Sequence, residues 1–131
     1  MDKTNSAHPK RILFVEDDDA LAGVYLVRLQ AEGFDVKRVS NGEEALAATI
    51  SFKPDLILLD IMMPKVSGFD VLDIIRNTPE VGNVKIVVLT ALSQESDKKR
   101  AEELGADDYI VKSQVVITDV IARVKKHLGI V

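Results

Sequence analysis

The chain has 131 residues, 47% of them hydrophobic and 29% charged, with a net charge of −4 and no cysteine. That is one domain with enough apolar mass for a core, which excludes a disordered segment, a disulfide framework and a thiolate metal site. No Lys/Arg block stands out and no apolar run nears the roughly 18 residues of a membrane span, so direct nucleic-acid or membrane partners are not expected and a cytoplasmic protein is.

Residues 1–9 are polar and aperiodic, and a flexible tail is expected there, ahead of one domain over 10–131. From Lys10 onward strand and helix patterns alternate with short links. Arg11–Val15 has the pattern of a strand. Asp18 or Asp19 caps a helix with Leu21, Val24, Tyr25 and Leu29 on its inner face, and Gly33 stops it. Phe34–Val39 is a second strand. Asn41-Gly42-Glu43-Glu44 has capping-box form and opens a short helix to about Ile50. Leu56–Leu59 is the third strand. A loop with Pro64 and Gly68 leads to a helix that turns Val71, Leu72, Ile74 and Ile75 inward. Lys85–Thr90 is the fourth strand. A fourth helix over about 94–104 is closed by Gly105. Only Ala101 and Leu104 are apolar within Ser93–Leu104, so this helix has little to bury and is cheap to shift. Tyr109–Val111 makes a short fifth strand. Thr118 starts the last helix, with Val120, Ile121, Val124 and Leu128 inward.

This alternation predicts the α/β class: a doubly wound parallel sheet of five strands with helices on both faces, three layers in all. The first, third and fourth strands are continuous apolar runs, as expected of strands covered on both sides. The second carries Asp35, Lys37 and Arg38, and the fifth is very short, so these two are the expected edges. The order 2-1-3-4-5 follows. It brings the ends of strands one and three together at the topological switch point.

Those ends are acidic. Glu16-Asp17-Asp18-Asp19 closes the run Ile12–Val15, and Asp60 closes Leu56–Leu59. An unpaired buried carboxylate costs several kcal/mol or protonates, so a charge at a buried strand's end marks a site rather than packing. Clustered carboxylates need a cation between them, and hard oxygen donors suit Mg²⁺. Thr90 and Lys112 end the fourth and fifth strands and offer a hydroxyl and a compact cation to phosphoryl oxygens. A carboxylate nucleophile, a metal and a cationic clamp are the parts of phosphoryl transfer to an aspartate. His8 and His127 do not resemble ligands or phosphoryl carriers, and His127 suits the negative end of the last helix.

The chain resembles the receiver domain of two-component response regulators. The resemblance runs from about Arg11 to Leu128. It rests on Glu16-Asp17, on Asp60-Ile61-Met62-Met63-Pro64 with Gly68 beyond, on Thr90-Ala91, and on Gly105-Ala106-Asp107-Asp108-Tyr109 with Lys112. It implies a flavodoxin-like fold with Asp60 as phosphoacceptor. It implies that Asp17 binds Mg²⁺ directly, Mn²⁺ being able to substitute, with Glu16 acting through water and Met62 giving its backbone carbonyl. Thr90 and Lys112 would contact the phosphoryl oxygens, and Tyr109 would follow Thr90 as a switch. The donor implied is a histidine kinase or a histidine phosphotransfer protein. The output face implied is the fourth helix, fifth strand and last helix. One large subfamily dimerises through that face by charged pairs, which Lys98, Asp107, Asp108 and Arg123 match in part, so a phosphorylation-dependent homodimer is a further expectation. One position departs from the pattern: Ser113 stands where proline usually follows the lysine. A cis bond before serine would cost about 2.5–4 kcal/mol, so a trans bond and a re-routed loop are expected.

Such a domain is not an enzyme beyond catalysing its own phosphorylation and dephosphorylation. Two other readings stand beside it. An aspartate-nucleophile phosphatase would carry its nucleophile on the first strand in an Asp-x-Asp pattern, which Asp17-Asp18-Asp19 superficially offers, although Ala20-Leu21 follow. A pseudo-receiver would only bind a partner, and the complete set of site residues argues against it.

Overall fold

The computed structural model describes residues 8–130, so most of the expected tail, residues 1–7, lies outside the described residues. β1 (Arg11–Val15), β3 (Leu56–Leu59) and β4 (Lys85–Thr90) form the middle of one parallel sheet. All their residues beyond Arg11 and Lys85 are buried, because helices cover both faces. β2 (Asp35–Val39) and β5 (Asp108–Val111) are the edges, and the order is β2-β1-β3-β4-β5, as the charge pattern of the strands predicts.

Strand alternation sorts the core into two halves. Leu13, Val15, Ile57, Leu59, Ile86, Val88 and Tyr109 face α2 (Gly42–Phe52), α3 (Gly68–Arg76) and α4 (Glu95–Glu103). Ile12, Phe14, Leu56, Leu58, Val87, Leu89 and Ile110 face α1 (Asp19–Ala31) and α5 (Ile117–His127). Successive residues of each strand thus enter opposite layers. With no tryptophan in the chain, aliphatic side chains carry almost all of this packing.

Three local expectations are corrected. In α1 the buried stripe is Ala22, Tyr25 and Leu29, while Val24 is 60% exposed. This helix is apolar all round, so periodicity alone does not select its inner face. In α3 Phe69, Val71, Leu72 and Ile75 are buried and Ile74 points outward, because the stripe is set by i, i+3 and i+4 neighbours. α5 begins at Ile117 rather than Thr118, with the Val116 N–H donating to Asp119 Oδ2 at 3.2 Å. The thin packing of α4 is as expected: Ala101 is its one buried residue, and Gly105 follows with φ 106°. The Arg100 guanidinium lies 4.1 Å from the centroid of the Phe69 ring, a contact to α3 that composition did not suggest. Among the described residues no peptide bond is cis, so the bond before Ser113 is trans as expected, and Lys112–Gln114 forms a 3-10 turn.

Candidate functional site

The carboxyl ends of β1 and β3 are tied together before any side chain acts. The Asp60 N–H donates to Val15 O at 3.1 Å, and the Glu16 N–H donates to Val39 O at 3.0 Å. Glu16 and Asp60 therefore leave neighbouring strands side by side, 1% and 4% exposed. Lys112, just past β5, reaches back between them. Its Nζ lies 2.7 Å from Glu16 Oε1 and 3.0 Å from Asp60 Oδ2. The other two oxygens accept backbone N–H groups: Glu16 Oε2 from Asp18 and Asp60 Oδ1 from Met62, each at 3.1 Å.

The electrostatics follow from this geometry. Burial raises the Glu16 carboxyl above its ordinary value, against the hydrogen bonds from Lys112 and Asp18 that pull it down. Burial disfavours the Lys112 ammonium too, but the two carboxylates outweigh it and hold its pKa above the usual lysine value. The ammonium stays charged and stands as the cation between two buried acids.

The four consecutive acids of the β1–α1 loop divide their work. Glu16 faces Lys112. Asp18 is the N-cap of α1, its Oδ1 accepting from the Leu21 N–H at 3.1 Å. Asp19 pairs with Arg38 Nη1 at 2.9 Å. Asp17 is exposed, and its carboxylate joins those of Glu16 and Asp60 in a group whose oxygens lie within 4.8 Å of one another. Hard oxygens converging from three side chains fit a small divalent cation that keeps several waters, and they fit a thiophilic or imidazole-loving metal poorly.

The loop after Asp60 is fixed by two glycines. A Cβ on Gly68 would collide with the Asp60 carbonyl oxygen, and the Gly68 N–H donates to Ile61 O at 2.9 Å. A Cβ on Gly42 would lie 2.7 Å from the Val66 Cβ. The backbone around the central carboxylate is thus pressed against its neighbours with no space for a side chain.

Thr90 and Tyr109 meet on a different group. The Tyr109 hydroxyl donates to the Leu92 carbonyl at 2.9 Å, and Thr90 Oγ1 accepts from the Leu92 N–H at 3.4 Å. Thr90 is wholly buried at the end of β4, and neither hydroxyl is hydrogen-bonded to the carboxylates. Burial, with the charges of Asp97 and Asp60, pushes the Tyr109 hydroxyl up to about 12. The structure thus gathers Glu16, Asp17, Asp60 and Lys112 directly, and joins Thr90 and Tyr109 to each other through Leu92.

The charged set on the α4–β5–α5 face is engaged within the chain. Arg123 forks onto both oxygens of Asp108, His127 Nε2 lies 2.9 Å from Asp108 Oδ2, and Asp107 pairs with Arg76. Burial works to raise Asp108, but these partners and the Tyr109 N–H overcome it and bring its carboxyl down to about 2. Lys98 is exposed. Arg38 was not singled out by the sequence, where it looked like one more polar residue of an edge strand. Its nearness to an acidic loop is the only signal it gives.

Three kinds of comparison bear on these residues. The family model described as "Response regulator receiver domain" matches residues 12–125. The chain is 40% identical over 118 residues to the phosphate regulon transcriptional regulatory protein PhoB of Rhizobium meliloti, covering 90% of this chain and 52% of that protein. It is 36% identical over 118 residues to the DNA-binding dual master transcriptional regulator RpaA of Synechocystis, covering 90% and 48%. The chain thus spans about half the length of these relatives. Among solved structures, the BeF3-activated N-terminal receiver domain of Klebsiella pneumoniae RstA superposes with a TM-score of 0.85 at 33% identity, covering 91% of this chain and 98% of that one. A CheY-like receiver domain protein from Methanospirillum hungatei gives 0.84 at 29% identity, covering 92% and 94%.

Proposed function

This chain belongs to the response regulator receiver domain family, and on that premise we propose that Asp60 is its phosphoacceptor. One observation carries the reading: a buried carboxylate at the end of a central strand, bridged by Lys112 to Glu16 with Asp17 beside it. The donor is a histidine kinase or a histidine phosphotransfer protein. An Asp60 oxygen attacks the phosphorus, an acyl phosphate forms, and the donor's P–N bond breaks with its electron pair left on the imidazole. Lys112 is already within hydrogen-bond reach of Asp60, so its ammonium can pass to a phosphoryl oxygen with little movement. Thr90 supplies a hydroxyl to the same group once it leaves the Leu92 N–H.

Asp17 and Asp60 would hold Mg²⁺, or Mn²⁺ in its place, with Glu16 through water and the Met62 carbonyl as a further oxygen. A bound divalent cation supplies neutralisation of the phosphoryl charge. Asp17 is exposed and Glu16 is 1% exposed behind it with Lys112 on one oxygen, which suits Asp17 to direct contact and Glu16 to the water-mediated role. The output follows from the Leu92 junction. Drawing Thr90 inward releases its bond to Leu92, to which Tyr109 is tied, and the thinly packed α4 moves most cheaply. The α4–β5–α5 face then changes. A homodimer through its charges would require the Asp108–Arg123 fork to open. No described helix is long and apolar enough to cross a membrane, and we place the domain in the cytoplasm beside its donor. It turns over no free substrate. The phosphatase alternative loses its pattern, since Asp18 caps α1 and Asp19 pairs with Arg38.

The test is labelling with a small acyl phosphate donor in Mg²⁺, read by mass spectrometry, with hydrogen exchange on the labelled form. The wild type should gain one phosphoryl group and Asp60→Asn none. Altered exchange should appear over Ala91–Leu104 and Tyr109. Full labelling of Asp60→Asn would overturn the assignment, and changes confined to residues 41–51 would overturn the output face.

A further inference from the structure

Arg38 lies one residue short of the end of β2, and its guanidinium crosses to the β1–α1 loop. Nε and Nη2 both donate to the Glu16 carbonyl oxygen, at 2.9 and 2.6 Å. Nη1 pairs with Asp19 Oδ1 at 2.9 Å. The side chain is 23% exposed, so most of it is held against the protein. The reason lies in the ladder. The Glu16 N–H still donates to Val39 O, but β2 stops at Val39 and the chain turns at Ser40 and Asn41 into α2. The Ser40 N–H goes to Glu44 Oε1, and Asn41 caps α2. The guanidinium thus adds a side-chain rung beyond the last strand residue.

This rung falls on the peptide that sets the direction of Asp17. The residue before it is gripped at its N–H by Val39 and at its carbonyl by Arg38. Asp18 and Asp19 are committed to the helix cap and to Arg38 itself. Among the described residues no hydrogen bond or ion pair holds the Asp17 side chain, so its aim depends on its backbone. We infer that Arg38 is a positioning residue for the acidic pocket: its fork onto the Glu16 carbonyl fixes the Glu16–Asp17 peptide so that the Asp17 carboxylate faces the divalent cation. The inference rests on the metal-pocket reading above.

Charge and position act with opposite sign here, which makes the inference sharp. A guanidinium beside a dication site repels the ion, so by Coulomb's law alone its removal tightens binding. If Arg38 acts by holding the peptide, its removal weakens binding, as loss of a supporting partner does by about 10–100-fold at other metal sites. The experiment is calorimetric titration of the whole chain with Mg²⁺ alone and with Mn²⁺ alone. Arg38→Ala should bind each metal about tenfold more weakly, at the low end of that range. Arg38→Lys keeps the charge but cannot fork onto the carbonyl and reach Asp19 together, and should recover only part of the loss. Arg11→Ala removes an arginine at the opposite, amino-terminal end of β1 and should bind as wild type. The Mg²⁺ concentration for half-maximal labelling should rise in Arg38→Ala, with the rate at saturating Mg²⁺ unchanged. Equal or tighter binding by Arg38→Ala would overturn the inference alone, as would wild-type binding by Arg38→Lys. If Arg38→Ala does not fold by far-UV circular dichroism, Arg38→Lys decides. A wild type that binds neither metal would overturn the pocket reading and this inference with it.

Discussion

Replacing Lys112 with methionine keeps a long stem and removes one charge from between two buried acids. Glu16 and Asp60 are 1% and 4% exposed, so little water is at hand to take the place of the ammonium. Removing one partner of a buried ion pair costs about 3–5 kcal/mol. The Lys112 side chain is 21% exposed, and solvent screening of that part brings the working figure to about 2–4 kcal/mol. At about 2.1 cal/mol/K of unfolding entropy per residue, each kcal/mol moves the midpoint of this chain by about 4 °C. Lys112→Met should therefore melt about 8–15 °C lower in metal-free buffer at pH 7. The loss should depend on pH in a set direction. Burial already holds Glu16 above 4.5, and Lys112 restrains it, so the variant's carboxyl rises further. A carboxyl raised in the fold contributes its stability below its unfolded value and loses it as pH climbs through the folded one. The deficit is then largest at neutral pH and shrinks toward pH 5. Mg²⁺ should shrink it too, by supplying the missing positive charge. Thermal and urea unfolding followed by far-UV circular dichroism at pH 5 and 7, with and without Mg²⁺, measures all of this. A midpoint within about 2 °C of wild type at pH 7, or a deficit indifferent to both pH and Mg²⁺, would refute the reasoning.

The phosphorylated form should lose its phosphate slowly, because Met62 and the half-buried Leu92 are apolar and neither can orient a water for in-line attack. Met62→Asn/Leu92→Glu should shorten its lifetime in Mg²⁺, measured by phosphate release, and an unchanged lifetime would sink the shielding argument. Asp108→Asn should alter acid unfolding in a defined window. Arg123 and His127 help bring the folded carboxyl from 3.8 to about 2, so its stabilisation is present above pH 4 and lost as pH falls toward 2. Urea midpoints should fall more steeply for wild type than for the variant between those pH values, and parallel slopes would count against the pairing.

The strand order was legible because burial on both faces leaves its mark directly in composition. Runs such as Leu56–Leu59 belong in the middle, and the charges of Asp35, Lys37 and Arg38 belong at an edge. The convergence of Glu16, Asp60 and Lys112 was legible for the same reason, since order and strand direction place those ends together. What escaped were choices made by tertiary contact. Val24 and Ile74 are apolar residues turned outward, and nothing in an aliphatic side chain announces which way its helix is rolled. Asp107 and Asp108 looked like surface charges open to a second copy, but Arg76 and Arg123 engage them within the chain. Arg38 escaped because a side chain standing in for a backbone donor has no sequence pattern. Its partner is a carbonyl, and every residue has one.

Arg76 bears on how α4 can move. From the end of α3 its guanidinium holds the carbonyls of Gly82, Val84 and Gly105 and the carboxylate of Asp107. Gly105 directly follows the last turn of α4, and Ala101, the helix's one buried residue, also lies near that end. The opposite end starts at Gln94 with no side-chain cap. A rod clamped at one end and loose at the other swings about the clamp, so displacement should grow from Glu103 toward Glu95. A signal entering at Thr90 would then arrive at the tip of a lever whose fulcrum lies at the opposite, amino-terminal end of β4 and β5. An α4 that slid bodily on phosphorylation, by equal amounts at both ends, would show that no such fulcrum operates.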